Sequence, residues 1–482
     1  FPFVLMKNIA LFLIRKETLR TLTGASFAQP KDYLGYLNTR NKGLLIDGQD
    51  LRISEKESFQ NVCVVARVGA GKTSRYIVPN VLDKAKTKCS LVVNDPKGEV
   101  YDLTAEHMKR SGYNVIVIDP ENLERSNRFN PLFEVKDEIE IEQIAEILVK
   151  AGTPNKKDDF WSQGAIRFVS VFLKCLQNAK YDNPNYFTLS NLYYLFQNFG
   201  SDGKELDNFM SLYTINPNDV HDRTLYNEWR GLLTGNAEGI QSFVLNAITA
   251  LKAMSNQNIC RLTGTSDFDL EAIRKEKTII YFITPPQHAE YYSFLTSIFF
   301  RSVFNMSMRS LPKRTDLPIY VLYDEFGHST IPSFVSVANT IRGYKVSLSI
   351  VLQSLSQLSS RYGADYARSI QGGFMTYLAY AGSDQDTARF FEAIAGKVVD
   401  VRREKIENVI QQRQEYNLLN ADEVRRIGDT QAILVSANRH PALLETTPYF
   451  VHRQYSKISR RFGAARVSGN AENSRVKRIG LS

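Results

Sequence analysis

The chain has 482 residues, 43% of them hydrophobic and 23% charged, which suits two or three globular domains around a real core. Its four cysteines, Cys63, Cys89, Cys175 and Cys260, are scattered, which argues against a zinc site or a disulfide framework and fits a reducing compartment. The net charge of +9 is uneven, because from Lys457 to the end seven Lys or Arg stand against one Glu.

The chain opens FPFVLMKNIALFLIRK. Its apolar part is about 14 residues long and contains Lys7, short of the ~20 residues that span a bilayer. It reads as the end of a membrane segment, an interfacial helix or a packed helix, and we assign 1–30 to a membrane-proximal or truncated anchor segment. The first buried strand is VCVVA (62–66), followed at once by ARVGAGKT (66–73). This is the phosphate-loop pattern G-x-x-x-x-G-K-[ST] with Ala66 at its first position. Gly69, Ala70 and Gly71 let backbone N–H groups approach phosphates. Lys72 reaches the β- and γ-phosphates, Thr73 offers a hydroxyl to Mg²⁺, and Ser74 follows at the head of the expected helix. The strand SLVVND (90–95) ends in Asp95, Pro96, Lys97 and Gly98. Lys97 there is a phosphate contact, a partner of Asp324 or simply part of a turn. NVIVID (114–119) is the third strand, and 31–133 forms the first part of a nucleotide-binding domain.

From 134 to 266 no buried strand is legible. Amphipathic stretches such as EIEQIAEILVKAG and WSQGAIRFVSVFLKCLQ predict an all-α domain inserted in the α/β domain. Its aromatics Phe160, Trp161, Tyr193, Tyr194 and Phe196 read as core in preference to a stacking surface. The rhythm of strands resumes over 267–456 with TIIYFIT (278–284), IYVLYDE (319–325), VSLSIVLQ (346–353), FMTYLAY (374–380) and AILVSA (432–437). Short, non-alternating Val/Ile runs of this kind are strands covered on both faces, so the fold class is α/β, a doubly wound and mostly parallel sheet. Asp324 and Glu325 close one such strand. An acidic pair there supplies the second half of a nucleotide-hydrolysing site: Asp324 for the metal and Glu325 to polarise water. His328, just beyond, reads as a satisfied turn residue. Gln353 closes the next strand and reads either as a γ-phosphate sensor or as a strand cap. The basic tail, 457–482, reads as a solvated segment or as one that touches nucleic acid or an anionic surface.

The ordered combination resembles the TraG-like coupling ATPases of type IV secretion and conjugation. The resemblance is carried by VVNDPKGEVYDLTAEHMKRSGYNVIVIDPEN (92–122), RFNPL (128–132), FWSQGA (160–165), YDEFG (323–327), LQSLSQLSSRYGADYARSIQGG (352–373), GSDQDTARFFEAIAGK (382–397), LLNADEVRRI (418–427) and AILVSANRHPAL (432–443). It implies a RecA-like motor that uses ATP and Mg²⁺. Lys72 and Thr73 then fall on Walker A, Asp324 and Glu325 on Walker B, and Gln353 on the sensor. Arg342, eleven residues earlier, falls on an arginine supplied in trans, its bland alternative being a surface ion pair. The resemblance also implies a homo-hexamer at the bacterial inner membrane with its soluble part in the cytoplasm. Its partners would be DNA, taken as single-stranded, with bound relaxase, the secretion channel, and in some systems protein effectors. Two other functions are an ATP-controlled adaptor that selects protein cargo, and a chromosome-segregation or genome-packaging translocase.

Overall fold

The computed structural model describes residues 18–33, 36–152, 160–215, 217–219, 221–404, 410–462 and 469–481. One sheet organises it. Its strands are β1 (Val62–Val65), β2 (Ser90–Asn94), β3 (Asn114–Ile118), β4 (Thr278–Phe282), β5 (Ile319–Tyr323), β6 (Val346–Leu352), β7 (Thr376–Tyr380), β8 (Gln431–Ser436) and β9 (Ala442–Glu445). They lie in the order β9-β8-β7-β1-β6-β5-β2-β4-β3. Every pairing from β7 across to β3 is parallel, and β8 and β9 add antiparallel pairings at one edge. All eight apolar runs named from the sequence are strands of this sheet.

The reason is visible in β1. Cys63 and Val65 point into a core on one face, while Val62 and Val64 point into a separate core on the other, and all four are buried. A strand clothed on both sides has no polar face to alternate with. Helices supply the clothing. On one face lie α1 (Val78–Lys84) and α2 (Glu99–Arg110). On the other, the core runs without a break from the sheet into the helical region.

That region contains α3 (Glu138–Gly152), α4 (Phe160–Ala179), α5 (Leu189–Gln197), α6 (Asp207–Tyr213), α7 (Thr224–Leu232), α8 (Ala237–Ala250) and α9 (Gln257–Leu262). Its two ends are clasped together. Arg128 in RFNPL pairs with Asp267 at 2.6 Å, and the Asn130 N–H donates to the Ser266 hydroxyl at 2.9 Å. The two halves of the α/β region therefore meet again where the helices leave off. The long α4 packs on α3 and α8. Gly164 makes this contact close, since a Cβ there would stand 2.1 Å from the Phe243 ring.

Three features depart from the sequence reading. A second, antiparallel sheet joins Thr18–Gly24, Lys397–Glu404 and Ile410–Asn417. The boundary placed before Lys457 cuts a helix, Arg453–Arg461, whose cap is the His452 side chain accepting from the Tyr455 N–H and whose anchor is the buried Tyr455. The tail beyond is not a solvated segment over 469–481: Ala471 and Ile479 are buried, and the backbone is hydrogen-bonded to the rest of the chain. The apolar N-terminal stretch lies outside the described residues, among which no helix is long and apolar enough to cross a membrane.

Candidate nucleotide site

Four neighbouring parallel strands, β1, β6, β5 and β2, end on one rim of the sheet, and each delivers polar residues there. The carboxyl ends of parallel strands are where open α/β sheets bind ligands. A cleft of about 230 Å³ opens over this rim, lined among others by Lys72, Thr73, Asn94, Asp95, Asp324, Glu325, His328 and Gln353.

The loop after β1 is shaped by two glycines at φ +83°, Gly69 and Gly71, a backbone region that other residues rarely adopt. A Cβ on Gly69 would meet nothing within 4 Å, so the backbone there is bare toward a ligand. Ala70 is half-buried against the core under the sheet. Ala66 follows the end of β1 and still bonds to the neighbouring strand: its N–H donates to the Leu352 carbonyl at 2.9 Å, and it is fully buried. The first position of the motif therefore needs a small residue but no special conformation, and alanine meets that need. A single π-helical turn, Thr73–Ile77, then leads into α1. Ser74 turns back, its hydroxyl donating to the Gly71 carbonyl at 3.1 Å, and so braces the loop.

The charged groups interlock. Lys72 Nζ contacts Glu325 Oε1 and lies 3.7 Å from Asp324 Oδ1. The Thr73 hydroxyl donates to Asp324 Oδ2 at 3.0 Å. Gln353 Nε2 donates to Glu325 Oε2 at 2.8 Å, and His328 Nε2 lies 3.4 Å from the same oxygen. Asn94, at the end of β2, donates its amide to the Asp324 carbonyl at 2.6 Å. Glu325 itself sits at φ +53°, a strained position for a non-glycine residue that turns its carboxylate back toward the loop lysine.

The two acids behave oppositely. Burial pushes Asp324 above its ordinary value despite the neighbouring Lys72. Burial also acts on Glu325, but hydrogen bonds from His328, Lys72 and Gln353 and the lysine charge overcome it and hold the carboxyl at about 2. Asp95 is nearly sealed from water, and burial lifts it to about 7 although the Tyr101 N–H donates to it at 2.8 Å.

The sequence-nominated Lys72, Thr73, Asp324, Glu325 and Gln353 thus converge in one cleft, with Gly69, Ala70, Gly71 and Ser74 forming its loop. Arg342 does not join them. It is exposed on the turn Ile341–Tyr344 at the amino end of β6, whereas Gln353 follows the carboxyl end. Seven strand residues at ~3.3 Å each separate the two by roughly 23 Å. Lys97 lines the cleft and is exposed, and the cation beside Asp324 is Lys72. The sequence reading took His328 for a satisfied turn residue, placed Asp95 only at a strand end and did not single out Asn94, yet all three line the cleft. The only signal for His328 was its place three residues after Glu325. Of the aromatics, Tyr193 and Phe196 are buried, but Phe160 and Trp161 are 70% and 41% exposed, which corrects the core reading for that pair.

A family model described as type IV secretory system conjugative DNA transfer matches residues 21–475. A VirD4 protein of Rhizobium rhizogenes is 24% identical over 485 aligned positions, covering 94% of this chain and 69% of that protein. Two solved structures share the fold. The unbound bacterial conjugative coupling protein TrwBdeltaN70 superposes with a TM-score of 0.67 at 16% identity, covering 91% of this chain and 96% of the other. The plasmid coupling protein TrwB in complex with ADP and Mg²⁺ gives 0.66 at 14% identity, covering 94% and 97%.

Proposed function

The chain belongs to the type IV secretory system conjugative DNA transfer family, and from that premise we propose that it is an ATP-driven coupling protein that delivers DNA to a secretion channel. The observation that carries this is the interlock of Lys72, Thr73, Asp324, Glu325 and Gln353 across three strand ends.

The residues fit ATP as substrate and Mg²⁺ as its metal. The loop presents bare backbone at Gly69, and Asn94 Oδ1 is buried in the cleft with no hydrogen-bond partner. Thr73 and Asp324 are oxygen donors, the type Mg²⁺ takes. TrwB, of the same fold, holds ADP and Mg²⁺. Bound Mg²⁺ supplies charge neutralisation on the phosphates. Lys72 exchanges its two carboxylates for phosphate oxygens. Glu325, ionised throughout the neutral range, is then free to take a proton from attacking water. Gln353 and His328 hold the second oxygen of that carboxylate and fix its direction. Arg342 reaches a neighbouring subunit's site in a homo-hexamer at the inner membrane, the soluble part facing the cytoplasm. Relaxase-bound DNA and the channel components are its partners.

The test is steady-state ATP hydrolysis at low salt, with and without single- and double-stranded DNA, using Lys72→Ala as the blank. We expect stimulation by DNA that the blank lacks and that fades as salt rises. A hexameric preparation indifferent to both strand forms would remove the motor reading.

A further inference from the structure

A second cleft, of about 640 Å³, opens between the helical region and the C-terminal segment. Arg261 of α9 lines one side together with Gln257 of the same helix and Gln197 of α5, and Arg475 and Arg478 come from the C-terminal segment. No carboxylate lines it, and among the described residues none of the three arginines forms an ion pair. Three arginines that line one concave space without a carboxylate partner make it favourable for an anion.

The wall is built, not incidental. Gly469 lies so close to Ser126 that a Cβ would stand 2.2 Å from its carbonyl oxygen. The Asn191 side chain, fully buried, donates to the Lys477 carbonyl at 3.0 Å and accepts from the Ile479 N–H at 3.2 Å, gripping the segment as a strand neighbour would. Arg478 is aimed by two contacts: it donates to the Ser190 carbonyl at 3.0 Å, and its guanidinium lies 5.1 Å from the centre of the Tyr194 ring. Ser474 is buried beside the α9 exit, near Gly264. The segment carrying two of the three arginines is thus fixed on both sides of the cleft.

We propose that this cleft binds the phosphodiester backbone of single-stranded DNA, a run of a few nucleotides, and that it exists only while the C-terminal segment is docked. The inference rests on the DNA-transfer reading above and gives it a place on the molecule. Forked guanidinium groups match phosphate oxygens in pairs, and the glutamine amides of the lining suit sugar and base edges. The volume is that of a small-ligand pocket, which a flexible single strand can enter and the convex rod of a duplex cannot.

The experiment is fluorescence anisotropy of a labelled oligo(dT) of about 12 nucleotides, titrated with the full chain between about 50 and 200 mM salt. Three variants are compared: Arg261→Gln/Arg475→Gln/Arg478→Gln, the same three positions changed to Lys, and Arg475→Gln alone, whose side chain holds no part of the fold. The triple Gln variant should bind at least ~10-fold more weakly, with a salt slope shallower by about 2, since each neutralised phosphate of a single strand contributes about 0.7. The Lys variant should keep the slope, the single variant should lose about a third of the change, and nucleotide binding at Lys72 should be unaltered in all. Wild-type binding that survives unchanged in the Gln variants overturns this inference and leaves the proposed function standing. Poly-glutamate of equal charge displacing the oligonucleotide one for one overturns it in favour of an acidic protein segment. A wild-type chain that binds no oligonucleotide at any salt overturns both.

Discussion

Glu325 shows how one side chain is prepared for work. Its backbone is strained, both of its oxygens are held, and its carboxyl stays near 2. Glu325→Gln keeps the shape and removes the proposed base, so nucleotide binding should persist while kcat falls ~100- to 10,000-fold. Single-turnover hydrolysis checks this; a loss of binding in step with turnover would make Glu325 a scaffold residue. Asp95 makes the opposite prediction about charge. Its folded value, about 7, lies above the ordinary 3.8. A carboxyl with a raised folded value gives its relative stability below the unfolded value and loses it as pH rises through the folded one. Asp95→Asn still accepts from the Tyr101 N–H, so its melting temperature relative to wild type should improve from pH 5 to pH 8. A constant difference at both pH values would mean that Asp95 serves as an anion. Lys72, Thr73, Asp324 and Glu325 were legible because their chemistry demands a fixed spacing from an apolar strand. The roles of His328, Asn94 and Asp95 were not, because a lone polar residue in a turn or at a strand end looks the same whether it faces water or a neighbouring carboxylate.

At the scale of elements, legibility followed burial. The eight strands of the large sheet announced themselves because both of their faces are covered. The strands KVVDVRRE and IQQRQEYN did not. Their charged residues outnumber their apolar ones, and the outer partner of KVVDVRRE, Thr18–Gly24, is nearly four hundred residues away in sequence. Backbone pairing across such a distance leaves no local trace. The motif FWSQGA was legible as a resemblance, but its reason is steric: Gly164 lets α8 close on α4 through Phe243. Gly164→Ala should therefore destabilise the helical region by about 1–3 kcal/mol even though alanine is the better helix former. Denaturant titration of the variant measures it. An unchanged or raised midpoint would mean that Phe243 swings aside at no cost.

At the scale of the whole molecule, the position of Arg342 poses the decisive question. It stands at the far end of β6 from Gln353, so within one chain it cannot reach the cleft whose chemistry it would complete. A residue on the opposite rim of the sheet can serve only the site of an adjacent copy in a head-to-tail ring. The proposed trans role of Arg342 makes the function divisible. Lys72→Ala abolishes a subunit's own site but leaves its arginine, and Arg342→Ala does the reverse. Each variant alone should be inactive. Mixed in equal amounts and assembled at random, about a quarter of the interfaces pair an intact site with an intact arginine. Hydrolysis should therefore reappear at up to that fraction of the wild-type rate. If the mixture stays silent while both variants co-assemble, Arg342 does not act across the interface. If Arg342→Ala alone retains full turnover, the exposed side chain is part of the solvated surface and a different residue stabilises the transition state.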